Sequence, residues 1–381
     1  MSQESTAYDA ARIQVLEGRE AVRRRPGMYI GSTGERGLSH LVFEVADRAV
    51  NEVLAGVGSR VDVTLLLDGG VRVADDGAGV PLHEARGGGP ALEALLTRTW
   101  AGVGPGGRHD VALGGVGLSV VNALSGRMTA EVRREGARWV QEYARGVALT
   151  PLTEAGPAAA SGTTLTFWRD TDIFPTAGYS FDALAERFRE LALLNRGLEI
   201  SLTDERRPGD RRSVRFRFPG GTRDFVALLD ARDPAPAATA VIGVEGEDPR
   251  MAGTVEVALR WRDAGEERIR SFANSRPTAG GTHVVGFRDG VAAAVTAYAR
   301  KRLLPGATDP GLTAEQVGAG LTAVVSVKLD DPEFEGCIRD LLGNTAVRAC
   351  VARAVRDRLG AWLEGHPEQA AAIVGRLVRG A

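Results

Sequence analysis

The sequence predicts an α+β fold built in two parts, and three observations predict it. Helical patterns and antiparallel strand pairs alternate without the strand–helix–strand rhythm of a parallel sheet. Turn signals sit between alternating apolar runs at Asp68-Gly69-Gly70 and at Glu135-Gly136. A stretch dense in arginine, "ERRPGDRRSVRFRFPGGTRDF" at 205–225, separates two regions of ordinary core composition and puts a boundary near residue 220.

Taken in order, residues 1–12 are polar and read as a flexible arm, and "REAVRRRPGMYIG" (19–31) reads as a basic turn ended by Pro26 and Gly27. A helix follows at about 37–56. Its segment "FEVADRAVNE" has one apolar face and carries Glu44, Arg48 and Glu52 on another, spaced so that i,i+4 partners meet. "RVDVTLLLDGGVRVADDGAGVPL" alternates as a hairpin. Residues 84–117 are rich in glycine around a short helix near 90–99 and read as a mobile lid. "LSVVNALS" (118–125) restarts a helix, "RMTAEVRREGARWVQEYARG" is a second hairpin, 162–170 a strand and 181–195 a helix. The second part has strands at 254–262, 267–273 and 322–329, a helix near 286–302 and a helical end from about 345.

The 381 residues, 44% hydrophobic, hold enough material for about two domains. A net charge of −2 excludes a strong global pull toward nucleic acid or membrane. Lys301 and Lys328 are the only lysines, so contacts to phosphate fall to arginine. The two cysteines, Cys337 and Cys350, have no metal-site or disulfide spacing, and a reduced compartment fits them. The N-terminus lacks the apolar core of a signal peptide, and no apolar run is long enough to span a membrane. The expectation is a soluble, cytoplasmic protein.

Four segments carry the chemistry, each ambiguous alone and informative in this order. Asp75, at the end of a strand, is placed to accept a hydrogen bond from the exocyclic amine of adenine. Gly77 and Gly79 would let a flat base approach the backbone. Gly115, Val116 and Gly117 precede a helix, where free N–H groups favour phosphate. Thr163 offers a hydroxyl near the base, and Glu44 a carboxylate able to polarise an attacking water.

With these segments the chain resembles the ATPase portion of the B component of DNA gyrase, among the GHKL (Bergerat-fold) ATPases. The resemblance rests on "VLEGREAVRRRPGMYIGST", "LVFEVADRAVNEVLAG", "DDGAGVP", "GVGLSVVNALS", "SGTTLTFW", "GGTHVVGFRDG" and "LTAVVSVKLDDPEF", spread over nearly the whole length. It implies a dimerisation arm at 1–18, a GHKL ATP-binding α/β sandwich at 19–220 and a ribosomal-protein-like α+β transducer at 221–381. It implies ATP as the ligand and a homodimer formed through the arm, with Tyr8 over the partner's nucleotide. Glu44 matches the catalytic base, Asp75 the adenine-reading aspartate, Gly79 and Thr163 its neighbours, and Arg134 an arginine at the pocket rim. No segment like a gyrase TOPRIM domain follows, which leaves a stand-alone paralogue or part of a longer protein, with gyrase-like partner subunits on other chains.

Other positions depart from the family. Its magnesium ligand is an asparagine one turn after the base, and this sequence has Arg48 there. A guanidinium has only donors, so no ordinary Mg²⁺ site and no metal ligand is assigned. The phosphate loop "GGLHGVG" is here "VALGGVG", the lid lysine has no counterpart, and the transducer's Gln-Thr-Lys loop becomes Cys337-Ile338-Arg339, leaving Arg339 as the catalytic-loop cation. Cys337 is read as packing. Ala78 replaces the arginine that pairs with the family's counterpart of Glu52. Arg48 then has three candidate partners: Glu52, Glu44 or a ligand phosphate. The readings, in order, are an ATP-binding protein gated by nucleotide with slow or impaired hydrolysis, a working ATPase subunit of a topoisomerase-like enzyme, and a non-enzymatic regulator or repurposed pocket. Arg206, Arg207, Arg211 and Arg212 read first as a solvated hairpin and second as a DNA-facing patch.

Overall fold

The structure is a computed structural model that describes residues 18–82, 91–98, 116–176, 178–231, 239–263, 265–302, 313–336 and 340–379. The elements, in chain order, are α1 (Gly18–Arg24), α2 (Gly27–Ile30), α3 (Glu35–Glu52), β1 (Arg60–Leu65), β2 (Gly70–Asp75), α4 (Ala91–Thr97), α5 (Leu118–Ala123), β3 (Ser125–Arg134), β4 (Ala137–Ala144), β5 (Val147–Ala148), β6 (Thr153–Pro157), β7 (Gly162–Arg169), α6 (Phe181–Leu194), β8 (Glu199–Asp204) and β9 (Arg212–Phe216). They continue with α7 (Thr222–Asp230), β10 (Ile242–Asp248), β11 (Gly253–Trp261), β12 (Arg268–Ala273), β13 (Arg276–Thr278), β14 (Gly280–Gly281), α8 (Thr282–Arg302), α9 (Ala314–Gly318), β15 (Leu321–Leu329), β16 (Phe334–Glu335), β17 (Leu341–Leu342), α10 (Thr345–Gly365) and α11 (Pro367–Arg379).

The strands β1 to β9 form one sheet in the order β5-β4-β3-β7-β2-β1-β8-β9, with β6 also on β4. Its pairs are antiparallel except β1 with β8. The two turn signals lie where the sequence places them. Glu135 and Gly136 both have positive φ (56° and 81°), the twist a two-residue hairpin needs. Helix α3 lies on this sheet by its apolar stripe, with Leu38, Leu41, Val42, Val45 and Ala49 all buried at helical spacing. A second sheet runs β10-β11-β15-β12-β13, parallel only between β12 and β15, and α8 and α10 pack on it around their own apolar core. Between the two, Leu193 and Leu194 of α6 meet Phe225, Val226, Phe272 and Val324 in a smaller cluster.

Several expectations are corrected. The segment 19–31 is not a turn but the two short helices α1 and α2, broken at Pro26. The helix expected at 37–56 begins at Glu35, and its last turn widens into a π-turn, Val53–Val57, that ends through Gly56 at φ 135°. Helix α8 starts at Thr282 rather than 286. Strands β8 and β10 and helix α7 had no counterpart in the sequence reading. Among the described residues, no helix is long and apolar enough to cross a membrane.

Candidate active site

Helix α3 turns its polar face to a pocket bounded by β2, β7 and α5. Arg48 and Glu52 line it, and one turn before Arg48, outside that lining, stands Glu44 with its side chain 10% exposed. Its Oε2 accepts the N–H of Gly117 at 3.0 Å, and its Oε1 lies 3.2 Å from His40 Nε2. Gly117 precedes α5 at φ 84°, a backbone state suited to glycine. The N–H expected to face phosphate is therefore held by the base itself. Val116 packs against the core beside it.

One turn on, Arg48 closes on Glu52, and the pair is only partly exposed, 29% and 16%. Of the three candidate partners the structure selects Glu52. Such a position does not fit Mg²⁺: the guanidinium has no lone pair to give, and Glu52 already holds it. Three residues after Glu44, Asp47 is buried, and burial pushes its pKa up to about 6 against the opposing pull of Arg187.

Asp75 ends β2 at the floor of the pocket. Its Oδ1 accepts the N–H of Gly77 at 2.9 Å and of Thr163 at 3.2 Å. Burial raises its pKa to about 6; those two bonds and Arg48 resist the shift, and Glu52 adds to it. The Thr163 hydroxyl takes the N–H of Val80 at 3.2 Å, which ties the loop after β2 to β7. Asp76 is structural instead, its Oδ1 accepting the N–H groups of Ser59 and Arg60 at 2.8 and 2.7 Å. Above Asp75 the walls are apolar, with Val45, Ala49, Val73, Val80 and Leu165 among them.

Gly79 has a further reason to be glycine. Its φ is 80°, and a Cβ there would come within 2.7 Å of the Arg133 carbonyl. The close approach is to the protein's own strand β3. Arg134 then donates from Nη1 to the Gly79 carbonyl at 2.7 Å, so the rim arginine fastens the loop. Gly77 is similarly crowded by Asp75 Oδ1, 3.0 Å from a built Cβ. Tyr8, Gly115, Arg339 and Cys337 lie outside the described residues, as does the expected lid apart from residues 91–98, 116 and 117. Sequence reasoning missed His40, Asp47 and Arg187. The first two share the polar face of α3 with Glu44 and were open to a spacing argument; Arg187, 140 residues away, left no signal.

A carboxylate-bearing helix over a mostly antiparallel sheet, with a strand-end aspartate flooring an apolar pocket and a second α+β sheet beyond, defines the GHKL fold with its transducer. The profile of the DNA gyrase B family matches residues 221–381. The novobiocin-resistant DNA gyrase B protein of Streptomyces niveus is 45% identical over 398 residues, which cover 99% of this chain and 58% of that protein. The chain thus spans just over half the length of that curated relative. The 43K ATPase domain of Thermus thermophilus gyrase B, solved in complex with an aminocoumarin, superposes with a TM-score of 0.82 at 34% identity, covering 98% of this chain and 96% of that one. The ATP-binding domain of Francisella tularensis topoisomerase IV gives 0.81 at 31% identity, covering 96% and 97%. The chain belongs to the DNA gyrase B family.

Proposed function

We propose that this chain is a gyrase-B-like ATP-binding protein, gated by nucleotide, that hydrolyses ATP slowly or not at all. The observation that carries the reading is Asp75, one oxygen fixed by two backbone N–H groups at the floor of an apolar slot. A carboxylate so held is oriented to take the exocyclic amine of adenine, and the apolar walls suit the faces of a flat base. Thr163 keeps the loop in place through Val80, and Arg134 does so through Gly79. Glu44 is the general base of the proposal. For it to meet a water, the bond from Gly117 has to be exchanged for one to phosphate, so each turnover begins by separating two groups that satisfy each other. No metal step is assigned, because position 48 cannot supply an oxygen.

The proposal extends to organisation: an arm at 1–18 with Tyr8, a nucleotide domain at 19–220 and a transducer at 221–381 that brings Arg339 toward the terminal phosphate. It includes a homodimer through the arm, a cytoplasmic setting and gyrase-like partner subunits. DNA is a secondary partner. Of the four arginines near 210, Arg206, Arg211 and Arg212 pair with Asp204, Glu205 and Asp182, which favours a solvated hairpin. A working ATPase is the second reading, favoured by Glu44 with His40 at 3.2 Å, where the imidazole can share a proton with the base. Equilibrium binding of a non-hydrolysable ATP analogue, with phosphate release measured beside it, separates the two. Binding with turnover equal to that of Glu44→Ala supports the first, faster turnover the second. Absence of binding with and without magnesium rejects both and leaves a repurposed pocket.

A further inference from the structure

The base-bearing helix reaches the second sheet through one partly buried arginine. Asp47 of α3 is 7% exposed, and its Oδ1 has no hydrogen-bond partner. The nearest positive charge is Arg187 of α6, whose Nη2 stands 3.5 Å from that oxygen, with the arginine side chain 14% exposed. The same guanidinium gives its Nη1–H to the main-chain carbonyl of Ser275 at 3.1 Å, in the turn between β12 and β13.

That turn is a two-residue hairpin turn. Asn274 and Ser275 have φ of 48° and 60°, the left-handed region that side chains other than glycine enter at a cost, so its contacts hold it in place. Asn274 serves as a rung for β15. Its main-chain N–H goes to the Val327 carbonyl at 2.8 Å, its Nδ2 to the Leu329 carbonyl at 2.9 Å, and its Oδ1 takes the Leu329 N–H at 2.9 Å. A second strut runs beside it: Asn195 Nδ2 donates to Ser275 Oγ at 3.1 Å, and Lys328 Nζ donates to Asn195 Oδ1 at 2.7 Å. Lys328 is partly buried, and desolvation holds its ammonium pKa down.

We propose that Arg187 is a positioning residue that couples the nucleotide site to the end of β15, through Asp47 on one side and the Asn274-Ser275 turn on the other. The coupling rests on the nucleotide reading given above. Its loosest joint is the contact between Arg187 and Asp47. Asp47 also feels Glu44 and His40. Arg187 also lies 4.0 Å from Glu190 of its own helix, and a displacement of α3 by nucleotide shifts the guanidinium between Asp47 and the Ser275 carbonyl. The chain beyond Leu329 leads into β16, where Phe334 and Glu335 pair with Leu342 and Leu341 of β17.

The test is hydrogen–deuterium exchange on the full chain, with and without an ATP analogue. In the wild type the analogue slows exchange at 75–80 and also at 274–276 and 327–330. Arg187→Gln keeps the first protection and loses the second by about 10-fold. Ser275→Ala keeps both, because the acceptor for Arg187 is the main-chain carbonyl. Equal protection in Arg187→Gln and wild type overturns the proposal, and so does loss in Ser275→Ala, which would move the coupling to Asn195. A ligand-free arm stands apart from nucleotide binding: Arg187→Gln raises exchange at both 44–48 and 274–276, and a rise on one side only, or on neither, overturns the coupling. If the analogue leaves 75–80 unprotected in the wild type, the nucleotide reading fails and the ligand-free arm alone decides. Should Arg187→Gln not fold, Arg187→Lys keeps the charge but lacks the fork to serve both partners, and the same losses are expected.

Discussion

Asp75→Asn trades affinity for stability, and both halves follow from one carboxyl group. Asp75 titrates at about 6 instead of its ordinary 3.8, chiefly because it is buried. The native state therefore holds a proton more tightly than the unfolded chain does. A group raised in this way contributes stability that is full below 3.8 and is lost as the pH climbs through 6. At about 1.4 kcal/mol per pH unit the loss comes to about 3 kcal/mol at neutral pH. Asparagine has nothing to ionise, and its Oδ1 still accepts the N–H groups of Gly77 and Thr163. Asp75→Asn is thus expected to be more stable than wild type at pH 7.5 by up to about 3 kcal/mol, with the difference vanishing near pH 4. The same change removes the charged acceptor for a base amine, worth about 1.5–3 kcal/mol, so ATP affinity falls about 10-fold to 150-fold. Urea unfolding of both proteins across pH 4–8 reads the first effect and calorimetric titration the second. A variant less stable than wild type at pH 7.5, or a stability difference that does not change with pH, refutes the reasoning.

Three further predictions concern neighbouring residues. Arg48→Asn takes the partner from Glu52 and costs about 1 kcal/mol in urea unfolding, but it supplies an oxygen, so nucleotide affinity becomes magnesium-dependent where the wild type's is not. Glu44→Gln keeps an acceptor for Gly117, so analogue binding holds and phosphate release in a single-turnover assay stays at the wild-type level, whereas a drop of about 100-fold would favour the working ATPase. Gly79→Ala places a Cβ against the Arg133 carbonyl at φ 80°, and destabilises the protein by about 1–3 kcal/mol with loss of nucleotide binding, measured by unfolding and titration together.

The α3 helix, both hairpins and the Asp75 loop were legible because each is set by neighbours in the chain: an i,i+4 ladder, a two-residue turn, a strand running into Asp-Asp-Gly. Strand β8 was hidden beside the charged run, although Leu198, Ile200 and Leu202 alternate and are all buried. Strand β10, "IGVEGED", has only Ile242 and Val244 to bury and two glutamates and an aspartate outside, too few apolar residues to declare a strand. In the site, the residue types at 44, 75, 79 and 163 pointed to a nucleotide. The crowding of Gly79 was not legible, since only folding brings the Arg133 carbonyl to it. Asp47 to Arg187 and Arg187 to Ser275 are contacts between distant segments, and no local pattern encodes them. The partner of Arg48 was named among three and is Glu52, as an i,i+4 pairing on a helix favours.

The most direct measurement is calorimetric titration of the full chain with an ATP analogue, in EDTA and in magnesium. The account predicts saturable binding in both, with affinities within about 3-fold of each other, because Asp75 reads the base and no metal ligand stands at position 48. Binding that appears only when magnesium is present would contradict it.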